Sequence, residues 1–365
     1  MAKQVRRQHT VSRFYLKGFS SDEGQIQQHR LKDGRSYKSS INDASVIKDF
    51  YSVEVAPGQT SDYFERRFAE IEAPAATALK AILAGVWPIT PEAKESLAVW
   101  VALQHLRTEG IRNGQVEVQA LMYRLVIGTS GKARLRKLIE EREGVDVGED
   151  RLDAEWQELT QPGGPKIQAD SRQHIQQIAE LLPGTTRMFT DMQWSIDRFT
   201  RKSLLTCDHP VALLPDPEAE RWDGIGLATA AGFAIPLSRH VALVISRPTT
   251  TSLGTAMPDM QIPGSTKLAD SINQSVLTSA RQRIYLHPDD GELLERYQMP
   301  DERSREFGAN AGAGLISEEG LFDALEPSPA FETARAGDDG RGVSISDIEW
   351  PIPGRTFTWS GGSDR

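Results

Sequence analysis

The feature that most constrains the fold is the separation of two hydrophobic periodicities along the chain. Between residues 61 and 190, apolar residues recur every three or four positions, which is typical of helices that bury one face. The stretches before and after contain short segments with strand-like patterns. Such separation favours an α+β fold over a doubly wound α/β fold. We predict an N-terminal β-hairpin segment, a central helical bundle and a C-terminal, mostly antiparallel sheet packed on the helices.

A hairpin is predicted near the N-terminus, where residues 26–31 and 36–41 flank an Asp-Gly turn. The clearest helix spans residues 61–85, with a cap at Thr60 or Ser61 and a kink or break at Pro74. A second helix begins with the Thr90 cap and is expected to reach Arg112. The remaining elements are helices at 116–127, 132–143, 171–182 and 267–282, a partly looped stretch at 144–164, and strands at 192–200, 203–208, 232–237, 240–246 and 283–286.

These patterns predict one α+β domain over residues 1–292, followed by an acidic and partly flexible extension over residues 293–365. Within the domain we expect a β segment at 8–60, a helical part at 61–190 and a sheet part at 191–290. No apolar run approaches the ~20 residues that a membrane-spanning helix needs. With a single cysteine, no intramolecular disulfide can form. The expectation is therefore a cytoplasmic globular protein with no membrane association.

Several short motifs follow one another along residues 8–290. Their residues are His9, Arg13, Phe14, Tyr15, Leu16, Phe19, Phe50-Tyr51, Glu65, Glu72, Gln104, Arg107, Thr108, Trp194, Thr206, Asp208, Pro210, Pro236-Leu237 and Asn273. The order of these motifs resembles the bacterial domain-of-unknown-function family numbered 4238 (DUF 4238). Three positions depart from the family pattern: Ser12 and Glu109 stand where Pro is usual, and Cys207 where Ser is usual. The resemblance implies no established activity.

Gln104 and Arg107 lie on the apolar stripe of the second helix, so both should face the interior. A buried guanidinium needs an acid or a bound anion. One interpretation is a structural ion pair with Glu72 or Asp208. The other is an anion clamp, because arginine holds phosphate or carboxylate with a fork of donors.

Glu65 and Glu72 are two helical turns apart and so share one helix face. They could pair with basic side chains at the edge of the apolar stripe, or supply carboxylates for acid–base or metal chemistry. Asp208 follows an apolar run at a strand end, where catalytic residues are common. An Asp that caps a turn explains the same position equally well. Its neighbour His209 is expected to be exposed.

The first 21 residues contain no acid, and His9 and Arg13 lie there among other basic residues. The whole chain has a net charge of −9, so this is a local basic stretch in an acidic protein. It could bind a nucleotide or a nucleic acid, or it could be neutralised by acids of the same chain.

Two hypotheses follow. The first is a nuclease-like or other phosphodiester-acting hydrolase of the toxin or phage-defence kind, with a divalent metal such as Mg as a conceivable cofactor. In it Glu72 and Asp208 act as base or metal ligands, His9 acts as acid, and Arg13, Gln104 and Arg107 bind phosphate. The second is a non-catalytic binding or sensor module with a structural polar network, whose protein partner binds the C-terminal extension.

Overall fold

The structure is a computed structural model that describes residues 6–56, 59–161, 170–216, 225–247 and 257–300. The helices are α1 Arg13–Leu16, α2 Tyr63–Leu83, α3 Pro91–Leu106, α4 Glu109–Glu143, α5 Glu149–Thr160, α6 Ser171–Asp191 and α7 Thr266–Ser279. The strands are β1 Arg7–His9, β2 Gln25–Arg30, β3 Arg35–Ser40, β4 Val46–Lys48, β5 Val53–Ala56, β6 Gln59–Ser61, β7 Gln193–Arg198, β8 Thr206–Cys207, β9 Ala212–Leu214, β10 Gly232–Ser238, β11 Val241–Ser246, β12 Met260–Pro263 and β13 Arg283–Leu286.

The described residues form two compact units, one made of those up to residue 108 and from residue 171 onward, and the other of those between residues 109 and 170. In the first unit, a five-stranded sheet has the order β12-β7-β11-β10-β9 and is antiparallel except for the parallel pair β12 and β7. Alternate residues of its central strands enter two different apolar clusters. Phe233 and Ile235 pack with α2, α3 and α6, whereas Ala234 and Ala242 pack with α7. The sheet therefore lies between two helical layers.

The predicted hairpin is confirmed: β2 and β3 pair in antiparallel register, from Gln25 opposite Ser40 to Arg30 opposite Arg35. The hairpin does not stand apart from the C-terminal strands. β2 also pairs with β13, and β13 pairs with β8, giving a four-stranded sheet with the order β3-β2-β13-β8. One sheet thus joins the two ends of the domain, a long-range pairing that local patterns do not reveal.

Several predicted helix boundaries are wrong. α2 continues through Pro74 without a break, and α6 runs through Pro183 to Asp191. The Thr90 cap is confirmed, since its hydroxyl accepts a hydrogen bond from the amide of Ala93 at 3.2 Å. α3 nevertheless ends at Leu106 instead of Arg112, with Arg107 as its C-cap.

In the second unit, α4 includes the predicted break at residues 113–114 and bends instead at Gly131, where φ is +75°. Gly is the residue that adopts this left-handed conformation at least cost. The stretch predicted to be partly loop contains α5. A small apolar cluster holds the unit together, and it comprises Ile127, Leu135, Ile139, Val147 and Leu152.

The α+β class is confirmed, with strands near the N-terminus, helices in the middle and a sheet toward the C-terminus. Within the described part of the chain, every helix is too short or too polar to cross a membrane. The predicted extension lies outside the described residues from position 301 onward, so the proposed domain boundary stays a prediction.

Candidate functional site

Ser12, the N-cap of α1, lies at the centre of a buried hydrogen-bond network. Its Oγ is 2.9 Å from Trp100 Nε1, 2.8 Å from Arg107 Nη2 and 2.8 Å from Glu72 Oε1. A hydroxyl can accept two hydrogen bonds and donate one. Trp100 and Arg107 therefore donate to Ser12, and Ser12 donates to Glu72. Gln104 Oε1 also lies 3.1 Å from this Oγ, so the single hydroxyl proton is shared between Glu72 and Gln104.

Arg107 is 1% exposed, and its charge is paired inside the protein. Nη1 lies 2.8 Å from Glu72 Oε1, and the guanidinium carbon lies 5.7 Å from the centre of the Phe68 ring. Burial acts to lower the pKa of Arg107, but Glu72 and neighbouring groups outweigh it, so the pKa is raised. Of the two sequence interpretations, the geometry matches the ion pair with Glu72.

Gln104 links α3 to the N-terminal segment. Its Oε1 accepts from the amide of Ser12 at 3.0 Å, and its Nε2 donates to the carbonyl of Thr10 at 2.9 Å. Both polar atoms of this fully buried amide are therefore used by the protein. Tyr51 adds a similar link, since its hydroxyl donates to the carbonyl of Arg107 at 2.7 Å.

His9 and Glu65 lie at the more open side of this network, and both are half-buried. His9 Nδ1 lies 3.1 Å from the carbonyl of Ala44. A carbonyl can only accept, so Nδ1 carries the proton and Nε2 is left as the basic nitrogen. Burial lowers the pKa of His9, and the charges of Arg107 and Arg13 lower it further.

The Glu65 carboxyl faces the backbone amide of His9 and is close to Glu72 and Arg107. Burial raises the pKa of Glu65 to about 7, Arg107 opposes that effect and Glu72 adds to it. Glu65 Oε2 is enclosed and has no hydrogen-bond partner among the described residues. Glu72, by contrast, has a side chain that is 25% exposed. Two carboxyl groups of different character therefore lie on one face of α2, as their spacing predicts.

Arg13 is exposed, and its Nη1 donates to Asn42 Oδ1, a neutral partner, at 3.1 Å. The neighbouring arginines differ: Arg6 pairs with Asp49 at 2.7 Å, and Arg7 pairs with Asp43. The expected neutralisation by acids of the same chain therefore applies to Arg6 and Arg7, but not to Arg13.

Asp208 is not brought to this network by any described contact. Its Oδ1 accepts from the amide of Arg281 at 3.0 Å, and its Oδ2 accepts from the amide of Gln282 at 2.7 Å. Asp208 therefore has a structural role, but it bonds the distant segment before β13 and does not cap its own turn as the alternative interpretation predicts. His209 is only 13% exposed in its side chain, contrary to expectation, because its Nε2 bonds Thr108 Oγ1 at 2.7 Å.

The structure thus brings together Glu72, Gln104 and Arg107, with His9 beside them and Arg13 at the rim. The sequence does not indicate Ser12 or Trp100 as site residues. Its first hypothesis assigns the carboxylate role to Glu72 and Asp208 and not to Glu65. Serine is common before helices and tryptophan is common on apolar helix faces, so neither Ser12 nor Trp100 indicates a functional site in the sequence. Among the described residues, no group of three His, Cys, Asp or Glu side chains is placed to hold a metal ion.

Comparison with known proteins gives one match. A family model described as "Protein of unknown function (DUF4238)" matches residues 7–290. No curated protein and no solved structure matches the chain.

Proposed function

The chain belongs to the DUF4238 family of proteins of unknown function, and from its own site we propose that it is a hydrolase acting on phosphodiester bonds of nucleotides or nucleic acids. The observation that carries the proposal is that two groups of opposite character lie near Arg107: the His9 imidazole, whose tautomer Ala44 fixes, and the Glu65 carboxyl, whose pKa is raised to about 7 and which accepts from the backbone amide of His9. Groups whose environments move their pKa values in opposite directions are suited to act as base and acid.

His9 is the base in this proposal. The carbonyl of Ala44 fixes the tautomer, so Nε2 presents its lone pair, and the lowered pKa keeps the ring neutral near pH 7. Sequence reasoning assigned His9 the opposite role of acid. The hydrogen bond to Ala44 and the direction of the pKa shift favour the base.

Glu65 is the acid, because a pKa of about 7 leaves the carboxyl partly protonated at neutral pH. Water attacks phosphorus while His9 Nε2 removes one of its protons, and the bond from phosphorus to the leaving oxygen breaks. Glu65 gives its proton to that oxygen. Proton exchange with solvent then restores both residues.

Arg13 binds the phosphate, since it is an exposed arginine near His9 and its partner among the described residues is the neutral Asn42. Arg107 is not a phosphate ligand in this scheme. Its two Nη atoms bond Glu72, Ser12 and Gln104, so it fixes the position of Glu72.

The test is cleavage of labelled single-stranded RNA, single-stranded DNA and duplex DNA by the purified full chain, with and without added Mg²⁺. Glu65→Gln and His9→Gln should each lower the cleavage rate by about 100-fold or more, the usual contribution of general acid–base groups. Expression of the wild type in bacterial cells should lower colony number, as a toxin or defence effector would, and Glu65→Gln should not.

The matched control is Glu70→Gln, the same change on an exposed residue of α2 that pairs only with Arg67. It should retain wild-type activity, because exposed ion pairs contribute little. Cleavage that survives in both Glu65→Gln and His9→Gln contradicts the proposal, provided that circular dichroism shows both variants folded.

A second candidate is a non-catalytic binding or sensor module, and the satisfied network around Ser12 and the enclosed Glu65 Oε2 favour it. Glu72, Gln104, Arg107 and Asp208 would then only stabilise the fold. Deletion of residues 308–365 discriminates, because it should abolish capture of a protein partner but leave an enzyme's turnover intact.

A further inference from the structure

We propose that the substrate is a single-stranded nucleic acid whose backbone lies along the exposed edge strand β3 and reaches the site at Arg13. This inference rests on the proposed phosphodiester chemistry, and it names the substrate class and a binding surface outside the site. The surface, called here the β3 platform, is the exposed edge of β3, with Arg35 and Tyr37 on one face of the sheet and Lys38 on the other.

The charge of this part of the chain is opposite to that of the whole protein. Residues 6–49 contain nine Lys and Arg against five Asp and Glu, a net charge of +4, whereas the whole chain carries −9. A local positive surface on an acidic protein attracts a polyanion to one place and repels it elsewhere. The segment contains both the β3 platform and Arg13.

Among the described residues, Arg35 and Lys38 form no ion pair, although Asp33 lies near Arg35. Arg30, at the opposite end of the hairpin turn, pairs with Asp33 through two hydrogen bonds of 2.9 and 2.6 Å. Arg35 and Lys38 are both exposed. Two unpaired cations on one strand are therefore available to phosphates.

Tyr37 supplies a surface on which a base can stack. It is 39% exposed, and its hydroxyl lies 3.4 Å from Oε1 of the buried Gln28. Gln28 in turn donates to Ser39 Oγ at 2.5 Å, which fixes the amide. The ring is thus held at its tip while much of its surface remains open, as in the aromatic platforms of single-strand binders.

The β3 platform leads directly to the site. Asn42 lies two residues beyond the end of β3, and it is the residue that bonds Arg13 at 3.1 Å. Six residues of β3 span about 20 Å, which is longer than a mononucleotide and suits a strand of several nucleotides. A stacking tyrosine also requires unpaired bases, so a single strand fits better than a duplex.

The experiment measures binding without cleavage. Glu65→Gln in the full chain serves as the background, and the probes are labelled oligomers of about 12 nucleotides of single-stranded RNA, single-stranded DNA and duplex DNA, followed by fluorescence anisotropy. Arg35→Gln/Lys38→Gln should weaken single-strand binding and reduce the salt-dependence slope by about 1.4, since each phosphate contact contributes about 0.7. Tyr37→Ala should weaken it at least about fivefold, with little effect on duplex binding.

The matched control is Lys80→Gln/Lys267→Gln, which removes the same charge from exposed lysines of α2 and α7. It should leave binding within about twofold of the background. If the platform variants bind like the control, the inference is overturned even where the wild type cleaves. Charges on an edge strand can instead serve to prevent aggregation. If that is the role of Arg35 and Lys38, the platform variants should aggregate while their nucleic-acid binding stays unchanged, and the inference is overturned. If the wild type binds single strands through the platform but never cleaves them, the binding surface is supported, whereas the proposed hydrolase and the role of the strand as its substrate fail.

Discussion

At the scale of single residues, the network around Ser12 explains why a polar cluster lies inside an apolar core. The side chains of Trp100, Arg107 and Glu72 all use one hydroxyl that is inaccessible to solvent. Buried polar groups are costly only when they lack partners, and here each of the three has one at Ser12. The N-terminal segment is thereby fixed against α2 and α3.

Ser12→Ala is expected to lower the free energy of unfolding by about 3 kcal/mol, because it leaves buried donors and an acceptor without that partner. Denaturant unfolding followed by circular dichroism measures the change. Ser130→Ala, on an exposed serine of α4, provides the control and should change stability by less than about 0.5 kcal/mol. Equal effects of the two substitutions would show that the network contributes no stability.

At this scale, the sequence predicts an interaction correctly where burying an unpaired charge would cost too much free energy. The inward position of Arg107 requires a counter-charge, and Glu72 was one of two acids named for it. It could not identify Ser12, because serine is common before helices and its second role depends on α2 and α3. Nor could it separate Glu65 from Glu72, because burial and the nearness of Arg107 arise only from tertiary packing.

At the scale of elements, a proline inside a helix did not end it, although proline usually breaks or kinks a helix. Pro74 lies within α2, where it removes one backbone hydrogen bond, to the carbonyl of Glu70. The helix continues because its apolar face is buried: Ile71, Ala75 and Ala78 flank the proline and are all in the core. Sequence patterns gave the existence of most helices, but tertiary packing decided where they begin and end.

Pro74→Ala is expected to raise the free energy of unfolding by about 2 kcal/mol, since it restores the missing hydrogen bond and a better helix former. Pro91→Ala is the matched control, because Pro91 is the first residue of α3, where no such bond is lost. Its effect should lie within about 0.5 kcal/mol. Chemical denaturation compares the two variants, and a destabilised Pro74→Ala protein would contradict the explanation.

At the scale of the whole molecule, strands distant in sequence share a sheet. The hairpin of β2 and β3 lies beside β13, about 250 residues later in the chain, and so depends on it. The α+β class was predictable, because helical and strand patterns occupy separate stretches. The pairing was not, because a strand pattern gives the faces of a strand and not its neighbours.

Ile284→Ala, in β13, should lower the free energy of unfolding by about 2–5 kcal/mol, since Ile284 is fully buried. Because β13 pairs with β2, the amides of residues 25–30 should also exchange hydrogen faster. Hydrogen exchange read by mass spectrometry follows both regions. Ile262→Ala, on a 39% exposed residue of β12, is the control and should leave exchange in β2 unchanged. If the amides of β2 exchange at the wild-type rate in the Ile284→Ala variant, the hairpin does not depend on β13.

The central claim is that His9 and Glu65 perform acid–base chemistry on a framework held by Ser12 and Arg107. Its most direct test is the pH dependence of kcat/KM for cleavage of a single-stranded oligonucleotide. His9 must be neutral, and its lowered pKa places the rising limb below pH 6.5. Glu65 must be protonated, so the rate should fall as pH rises through about 7. The account predicts that Glu65→Gln removes this descending limb together with most of the activity. A descending limb that persists unchanged in Glu65→Gln would contradict it.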